Sequence, residues 1–203
     1  MALLLLKIIC SILFIFLKEP ALSYAFPHPA EVKAIYLSTN NIYNKKKIQE
    51  LERIIATTEA NGIVIDFKDS AIPDIAHMQH LVERFKNVGA YTIARIVTFQ
   101  DSSFARKHPE IAIKTKSGGL WMSGRRVWKR YWLDPASRMA QEYTIATAKH
   151  AIDAGFHEIQ FDYIRFPTDG NMRDIVFPVF NSSAESKAEV LRSFFVRLKK
   201  ELK

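Results

Sequence analysis

Two aspartates lie in short apolar runs, at positions where they could perform hydrolytic chemistry. Asp66 lies near the end of the run 62–67, and Asp162 ends the run 158–162. A glycoside hydrolase places two carboxyl groups on either side of the bond that it cleaves. Asp66 and Asp162 are therefore candidate catalytic residues, and Arg95, in a third run, could hold either of them ionised. A purely structural ion pair of either aspartate with Arg95 is the alternative that the sequence leaves open.

The spacing within these runs predicts which face of a sheet each aspartate occupies. Successive side chains of a strand point to opposite faces. This alternation groups Asp66 with Val64, and Asp162 with Gln160, on one face. The other face receives only apolar side chains, namely Ile63, Ile65, Phe67, Ile159 and Phe161. Both runs thus predict an apolar outer face and a polar inner end.

A segment rich in aromatic residues supplies candidate substrate contacts. Trp121, Trp128, Tyr131 and Trp132 lie close together in the sequence, and flat apolar rings suit the C–H faces of sugars. We expect Trp121 and Trp132 to contact substrate. The alternative is a loop that folds back and buries its aromatic side chains. Four further residues in or after the apolar runs are predicted to bind substrate: Lys68, Arg95, Tyr163 and Arg165.

Strand-like runs alternate with helical periodicity along the chain. Strands are predicted at 32–37, 62–67, 91–97 and 158–162. Helices are predicted at 48–58, 74–89, 102–107, 134–154 and 184–203, with Asp134 as the N-cap of the fourth. This repeated alternation predicts an α/β fold with a parallel sheet, and the carboxyl ends of its strands would carry the active site. An open doubly wound sheet and a (β/α)8 barrel both fit, although the lack of glycine at 38–41 argues against nucleotide binding.

The N-terminal segment predicts export. An apolar run at 8–17 is followed by Ser23 and Ala25, which suit the −3 and −1 positions of a cleavage site. The run is shorter than the about 20 residues that a membrane-spanning helix needs. We therefore predict a signal peptide at 1–25, a linker at 26–31, a barrel domain at 32–203, and a secreted product, periplasmic or extracellular. The alternative is an uncleaved membrane anchor at 2–17, which would be the chain's only membrane contact.

Composition limits the expected partners and cofactors. The net charge is +8, but the basic residues are scattered except at 45–47 and 125–130, and no nucleic-acid-binding motif accompanies them. No nucleic-acid partner is therefore expected. No metal is expected either, because His77 and His80, the pair with a possible ligand spacing, lie on the helix face opposite Met78 and Leu81, and no cofactor is expected. A weaker hypothesis is a basic protein that binds anionic polymers through Arg125, Arg126, Lys129 and Arg130. Cys10 is the single cysteine, and it lies in the predicted signal peptide, so no disulfide is expected in the mature protein.

Six segments resemble, in the right order, the bacterial putative glycosyl hydrolase domain family, a relative of the α-amylase-type barrels. They lie at 32–36, 63–69, 94–99, 118–121, 133–135 and 155–167. The resemblance implies a (β/α)8 barrel that acts on a polysaccharide or glycan. By position, Asp162 corresponds to the nucleophile of the α-amylase-type barrels. Those enzymes carry an arginine two residues before that aspartate, where this chain has Gln160.

The resemblance also predicts that the chain is incomplete. The amylase-type acid comes from a fifth strand, whereas four strands are predicted here, and complete barrels take about 250 residues. We expect the N-terminal half of a barrel, about four βα units. Its inner side chains Val64, Ile93 and Val97 would meet water, and it would self-associate as paired half-barrels, bind a separate half, or be poorly folded. The chain would then be a hydrolase domain inactive alone without the missing half, or a non-catalytic glycan-binding remnant.

Overall fold

The computed structural model describes residues 29–69, 71–124 and 130–202. In chain order, its strands and helices are β1 (Ala34–Leu37), α1 (Lys45–Thr57), β2 (Gly62–Lys68), α2 (Ile75–Asn87), β3 (Tyr91–Val97), α3 (Ser102–Lys107), β4 (Lys114–Thr115), β5 (Met122–Ser123), β6 (Arg130–Tyr131), α4 (Arg138–Asp153), β7 (Glu158–Asp162), β8 (Ile175–Val176) and α5 (Lys187–Glu201). The predicted signal peptide lies outside the described residues, as do Arg125, Arg126, Trp128 and Lys129.

A four-stranded parallel sheet organises the fold. Its strands are neighbours in the order β1-β2-β3-β7, and a helix lies between each strand and the next. Consecutive parallel strands joined by helices are the arrangement of a (β/α)8 barrel. The predicted α/β fold is confirmed, and β3 and β7 have the predicted bounds.

The outer face of the sheet is apolar and covered by helices. Ile63, Ile65 and Phe67 of β2 are fully buried, in one core cluster with Met78 and Phe85 of α2. Burying side chains of this size stabilises the fold by about 1.5–3 kcal/mol each. The face predicted from the alternation along β2 is therefore confirmed.

The inner face is less open to water than the sequence predicts. Val64 is partly exposed, but Ile93 and Val97 are buried, so the expectation that all three meet water is wrong. Both buried residues belong to β3, which has strands on either side. Val64 and Glu158 flank Ile93, and Asp162 flanks Val97.

A second core is formed by the segments that follow β3 and β7. The ribbon of β4 and β8 joins them, and Trp121 Nε1 donates to the Asn171 carbonyl at 2.9 Å. Gly170 has φ of +102°, and a Cβ there would come within 3.0 Å of the Trp121 ring. Glycine is therefore required where the two segments meet. Trp121 belongs to the same buried cluster as Phe99, Trp132 and Phe194 of α5.

The start of α4 corrects one prediction. The helix begins at Arg138, and the Ser137 side chain caps it by accepting from the Ala140 amide. Asp134, predicted as the cap, is fully buried. Its carboxylate accepts from the amides of Ala136 at 2.9 Å and of Val179 and Phe180 at 2.8 Å. Asp134 thus fastens the segment before α5 to the one before α4, a contact that local sequence patterns do not reveal.

The other helices follow the predicted pattern. Asp74 caps α2 by accepting from the His77 amide, and α3 has the predicted bounds. Within the described ranges, no helix combines the length and the apolar character needed to cross a membrane.

Candidate functional site

A row of charged side chains crosses the inner face near the carboxyl ends of the strands. Arg95 of β3 lies between Asp66 of β2 and Asp162 of β7. Its Nη1 is 2.7 Å from Asp66 Oδ1, and its Nη2 is 2.6 Å from Asp162 Oδ2. Arg95 Nε donates to the same Asp162 oxygen at 3.0 Å. The structure therefore brings together both predicted catalytic aspartates and one of the predicted substrate-binding residues.

Asp66 is enclosed by donors. Besides Arg95, the Tyr36 hydroxyl donates to Asp66 Oδ1 at 2.5 Å. Thr39 donates to Oδ2 through its amide at 3.1 Å and its hydroxyl at 3.3 Å. Only 7% of the Asp66 side chain is exposed. With both oxygens engaged, Asp66 has the surroundings of a residue that holds Arg95 in place.

Asp162 is more exposed to solvent than Asp66 is. Its side chain is 39% exposed, and its Oδ1 accepts from the backbone amide of Tyr163 at 2.7 Å. Tyr163 has φ of 52°, in the left-handed region that bulky residues rarely adopt. This turn at the end of β7 aims the Tyr163 amide at the preceding carboxylate. The arrangement leaves Asp162 fixed in orientation and still accessible to solvent.

Burial and hydrogen bonds shift the ionisation of two groups in the row. Burial alone would lower the pKa of Arg95, but hydrogen bonds from its guanidinium to Asp66 and Asp162 raise that pKa above its usual value. Burial, with the hydrogen bond to Asp66, raises the pKa of Tyr36 to about 12. At neutral pH the row therefore contains a fixed cation and a neutral phenol that donates its proton.

A polar cleft adjoins the row. It has a volume of about 340 Å³ and is lined by Asp69, Arg95, Gln100, Ser123, Gly124, Arg130, Tyr163 and Asp169. Arg130 Nη2 lies 3.3 Å from Asp69 Oδ2, and Gln100 Nε2 donates to the Ser123 hydroxyl at 3.3 Å. The cleft is within the size range of small-ligand sites. Tyr163, one of the predicted substrate-binding residues, lines this cleft.

Three other predicted substrate contacts are placed differently. Lys68 is buried and forms an ion pair with Asp101 at 2.8 Å, and its ammonium also donates to the Val97 carbonyl. Burial lowers the pKa of Lys68, and the charge of Asp101 opposes that shift. Trp121 and Trp132 are buried in the second core, and Trp132 Nε1 donates to the Ser123 hydroxyl at 2.6 Å. Their burial fits the alternative of a loop that folds back on its aromatic side chains.

Arg165 lies between these groups and the surface. Its guanidinium is 5.1 Å from the ring centre of Trp132 and 5.5 Å from that of Tyr163, and it donates to the Thr168 hydroxyl at 2.9 Å. Such contacts with aromatic faces stabilise a cation. Arg165 therefore supports the segment after β7 and remains partly accessible.

Sequence reasoning missed Tyr36 and Thr39. Alternation in the predicted strand places Tyr36 on the face opposite Ile35 and Leu37, which are part of the outer core or pack against it. The structure pairs Tyr36 with Val64 of the inner face. Thr39 follows β1 in a short 3-10 helix and gives no such signal. Among the described residues, no group of three histidine, cysteine, aspartate or glutamate side chains is placed to hold a metal ion.

The fold and the row define a protein of the (β/α) barrel type, with its ionised side chains at the carboxyl ends of the strands. The chain belongs to the "Putative glycosyl hydrolase domain" family, whose model matches residues 71–203. A comparison with curated protein sequences gives no match.

Solved structures with the same fold extend this comparison. A hypothetical protein from Ruminiclostridium thermocellum is 29% identical with a TM-score of 0.70, and the match covers 83% of this chain and 93% of that one. An α-galactosidase from Thermus thermophilus is 17% identical with a TM-score of 0.58 over 86% of this chain. A GH36 α-galactosidase from Geobacillus stearothermophilus is 15% identical with a TM-score of 0.59 over 84%. The chain spans 36% and 26% of the two galactosidases.

Proposed function

We propose that the protein is a secreted glycoside hydrolase domain that acts on a polysaccharide or glycan, with Asp162 as nucleophile or charge stabiliser. One observation carries the proposal: Asp162 ends β7 at the carboxyl edge of the sheet, fixed by Arg95 and Tyr163 and yet open to solvent. A carboxylate at this edge of a barrel is where the fold places catalytic groups. Membership of the glycosyl hydrolase family supports hydrolysis of a glycosidic bond as the reaction at that carboxylate.

The neighbouring residues have separate roles in this proposal. Arg95 holds the Asp162 carboxylate in one orientation, and Asp66 holds Arg95 from the opposite side. An oxocarbenium-like transition state needs a negative charge close to the sugar ring, which the accessible carboxylate of Asp162 would supply. Tyr163 and the cleft beside it would receive the sugar. Lys68, Trp121 and Trp132 would hold the walls of this site from within the core.

The test is hydrolysis by the exported protein and its Asp162→Asn variant. We expect the wild-type protein, self-associated or combined with a separate barrel half, to release reducing sugar from at least one of starch, galactomannan, arabinoxylan and pectin, or to cleave p-nitrophenyl α-D-galactopyranoside. The last compound is included because the Thermus thermophilus galactosidase was solved with it. Asp162→Asn should lose nearly all of that activity, since the amide can neither attack nor carry the charge.

A matched control is available on the same strand. Glu158 also belongs to the inner face of β7, at its opposite end, where it accepts from Tyr91 at 3.3 Å. Glu158→Gln should retain most of the activity, and circular dichroism should show both variants folded. Wild-type turnover in Asp162→Asn would remove Asp162 from the mechanism.

Glycan binding without hydrolysis is a second candidate function. It is favoured by the pairing of both aspartates with one guanidinium, which satisfies their charges without a substrate. This function predicts that a polysaccharide in the gel retards the wild-type protein in affinity electrophoresis, and that the protein releases no sugar from it.

A further inference from the structure

Tyr36 is a half-exposed aromatic side chain beside the charged row. It belongs to β1, an edge strand of the sheet in the described ranges, and is paired with Val64 of the inner face. Its relative exposure is 48%, although its hydroxyl is 2.5 Å from a carboxylate that is almost entirely buried. The hydroxyl end is therefore fixed in the row, and much of the residue remains in contact with water.

The position of the ring is set by several contacts. The Tyr36 hydroxyl donates to Asp66, and Arg95 Nη1 approaches the same hydroxyl at 3.4 Å. Thr39, on the chain segment that leaves β1, donates twice to the other oxygen of Asp66. A ring that is already immobilised loses little conformational entropy when a ligand packs on it. An exposed aromatic ring held in this way is suited to binding.

We propose that Tyr36 is a further substrate-binding residue, whose ring stacks on a sugar unit further along the glycan than the one at Asp162. The inference rests on the proposed function, because it places Tyr36 in the same glycan site. Tyr36, Asp66, Arg95 and Asp162 lie on four successive strands, which are about 4.8 Å apart. The row is therefore wide enough for a glycan to cross the strands and contact both ends. The C–H face of a sugar packs well on an aromatic ring.

The ring and the hydroxyl make separable contributions. Tyr36→Phe keeps the stacking surface and removes the hydrogen bond to Asp66. Tyr36→Ala removes both. A stacking role therefore predicts that binding falls much further in Tyr36→Ala than in Tyr36→Phe. A role limited to supporting Asp66 predicts that the two variants are equally impaired.

The experiment measures binding of starch, galactomannan, arabinoxylan and pectin by affinity electrophoresis, with Asp162→Asn as the parent so that no glycan is consumed. We expect Tyr36→Ala to weaken binding about three- to tenfold, the scale of one aromatic contact, and Tyr36→Phe to weaken it less than twofold. Met139→Ala is the control, since Met139 is similarly exposed but lies on α4. That control should bind like the parent.

The outcomes separate this inference from the proposed function. If a glycan retards the parent and Tyr36→Ala equally, the stacking role is overturned and the proposed function is unaffected. Equal losses in Tyr36→Ala and Tyr36→Phe would also overturn it, in favour of a supporting role. A wild-type protein that binds and cleaves none of the probes would overturn the proposed function, and the role of Tyr36 with it.

Discussion

Asp66 and Asp162 contact the same guanidinium, yet their surroundings differ. Asp66 accepts from Tyr36, Thr39 and Arg95, and is almost completely enclosed. Asp162 accepts from Arg95 and Tyr163, and keeps more than a third of its side chain exposed. A group that reacts with substrate must be reachable, whereas a group that positions another need not be. In the proposed function the reaction therefore belongs to Asp162, and Asp66 supports Arg95.

The phenol of Tyr36 provides a pH test of this arrangement. Burial and the hydrogen bond to Asp66 raise its pKa from 10.0 to about 12. Because the folded-state pKa is raised, the stability contributed by the protonated phenol is complete below pH 10. It is lost as the pH rises from 10 towards 12. Wild-type protein should therefore lose more stability over this interval than Tyr36→Phe.

The titration is measured by absorbance at 295 nm, where ionised tyrosine absorbs. The wild-type curve minus the Tyr36→Phe curve should have its midpoint near pH 12. Tyr143, whose pKa burial also raises, is present in both proteins and cancels in the difference. A difference curve centred near pH 10 would show that Tyr36 does not donate to Asp66 as the structure describes.

At the scale of elements, hydrophobic periodicity was enough to place the sheet. The strand Tyr91–Val97 has the bounds that the sequence predicts, because its apolar pattern is complete within the segment. The helix Ser102–Lys107 also has the predicted bounds and is capped by the preceding Asp101. The strands β4 and β8 have two residues each and pair across a long separation in sequence. A strand of two residues is too short to show a hydrophobic period, so no local sequence pattern predicts β4 or β8.

Local sequence patterns also do not predict which side chains of the loops are buried. Trp121 and Trp132 suit a sugar platform and a buried core equally well until their partners are known, and those partners include Asn171 and Ser123. Lys68 looked accessible because it follows an inward aspartate. The irregular register between Asp66 and Lys68 breaks the alternation there. The Lys68 ammonium instead forms an ion pair with Asp101 in the interior.

The ion pair of Lys68 and Asp101 connects the end of β2 to the start of α3, where Asp101 also accepts from the Phe104 amide at 2.8 Å. Lys68→Met should destabilise the fold by about 3–5 kcal/mol, because it leaves a buried charge without its partner. Adding Asp101→Asn should recover much of that loss, since asparagine can still cap the helix. Urea denaturation of the single and double variants measures both effects.

An exposed ion pair serves as the comparison. Lys33 and Glu59 are 3.0 Å apart at the surface, and pairs of this kind contribute about 0–1 kcal/mol. Lys33→Met should therefore change the free energy of unfolding little. If Lys68→Met lowered the free energy of unfolding no more than Lys33→Met does, the ion pair would not stabilise the contact between β2 and α3.

At the scale of the whole molecule, the sheet has two edges without a neighbouring strand in the described ranges. These edges are β1 and β7, and open rows of backbone N–H and C=O groups recruit other strands. Phe195 and Val196 of α5 are also exposed. Because Ile93 and Val97 are buried, the inner face contributes less apolar surface to association than the sequence predicts. The edges and the α5 surface are therefore the expected contacts.

We expect the protein that starts at Phe26, the predicted product of export, to self-associate. Light scattering during size-exclusion chromatography should give a mass that rises with concentration, because strand edges pair reversibly between copies. Replacing Phe195 and Val196 by lysine should shift the distribution towards monomer if the α5 surface takes part, since two added charges oppose its burial. Glu83→Lys, an exposed position on α2 between β2 and β3 in chain order, should not change the distribution. A monodisperse monomer with a cooperative melt would show that the two edges are stable in water, and that the four strands form a self-sufficient sheet.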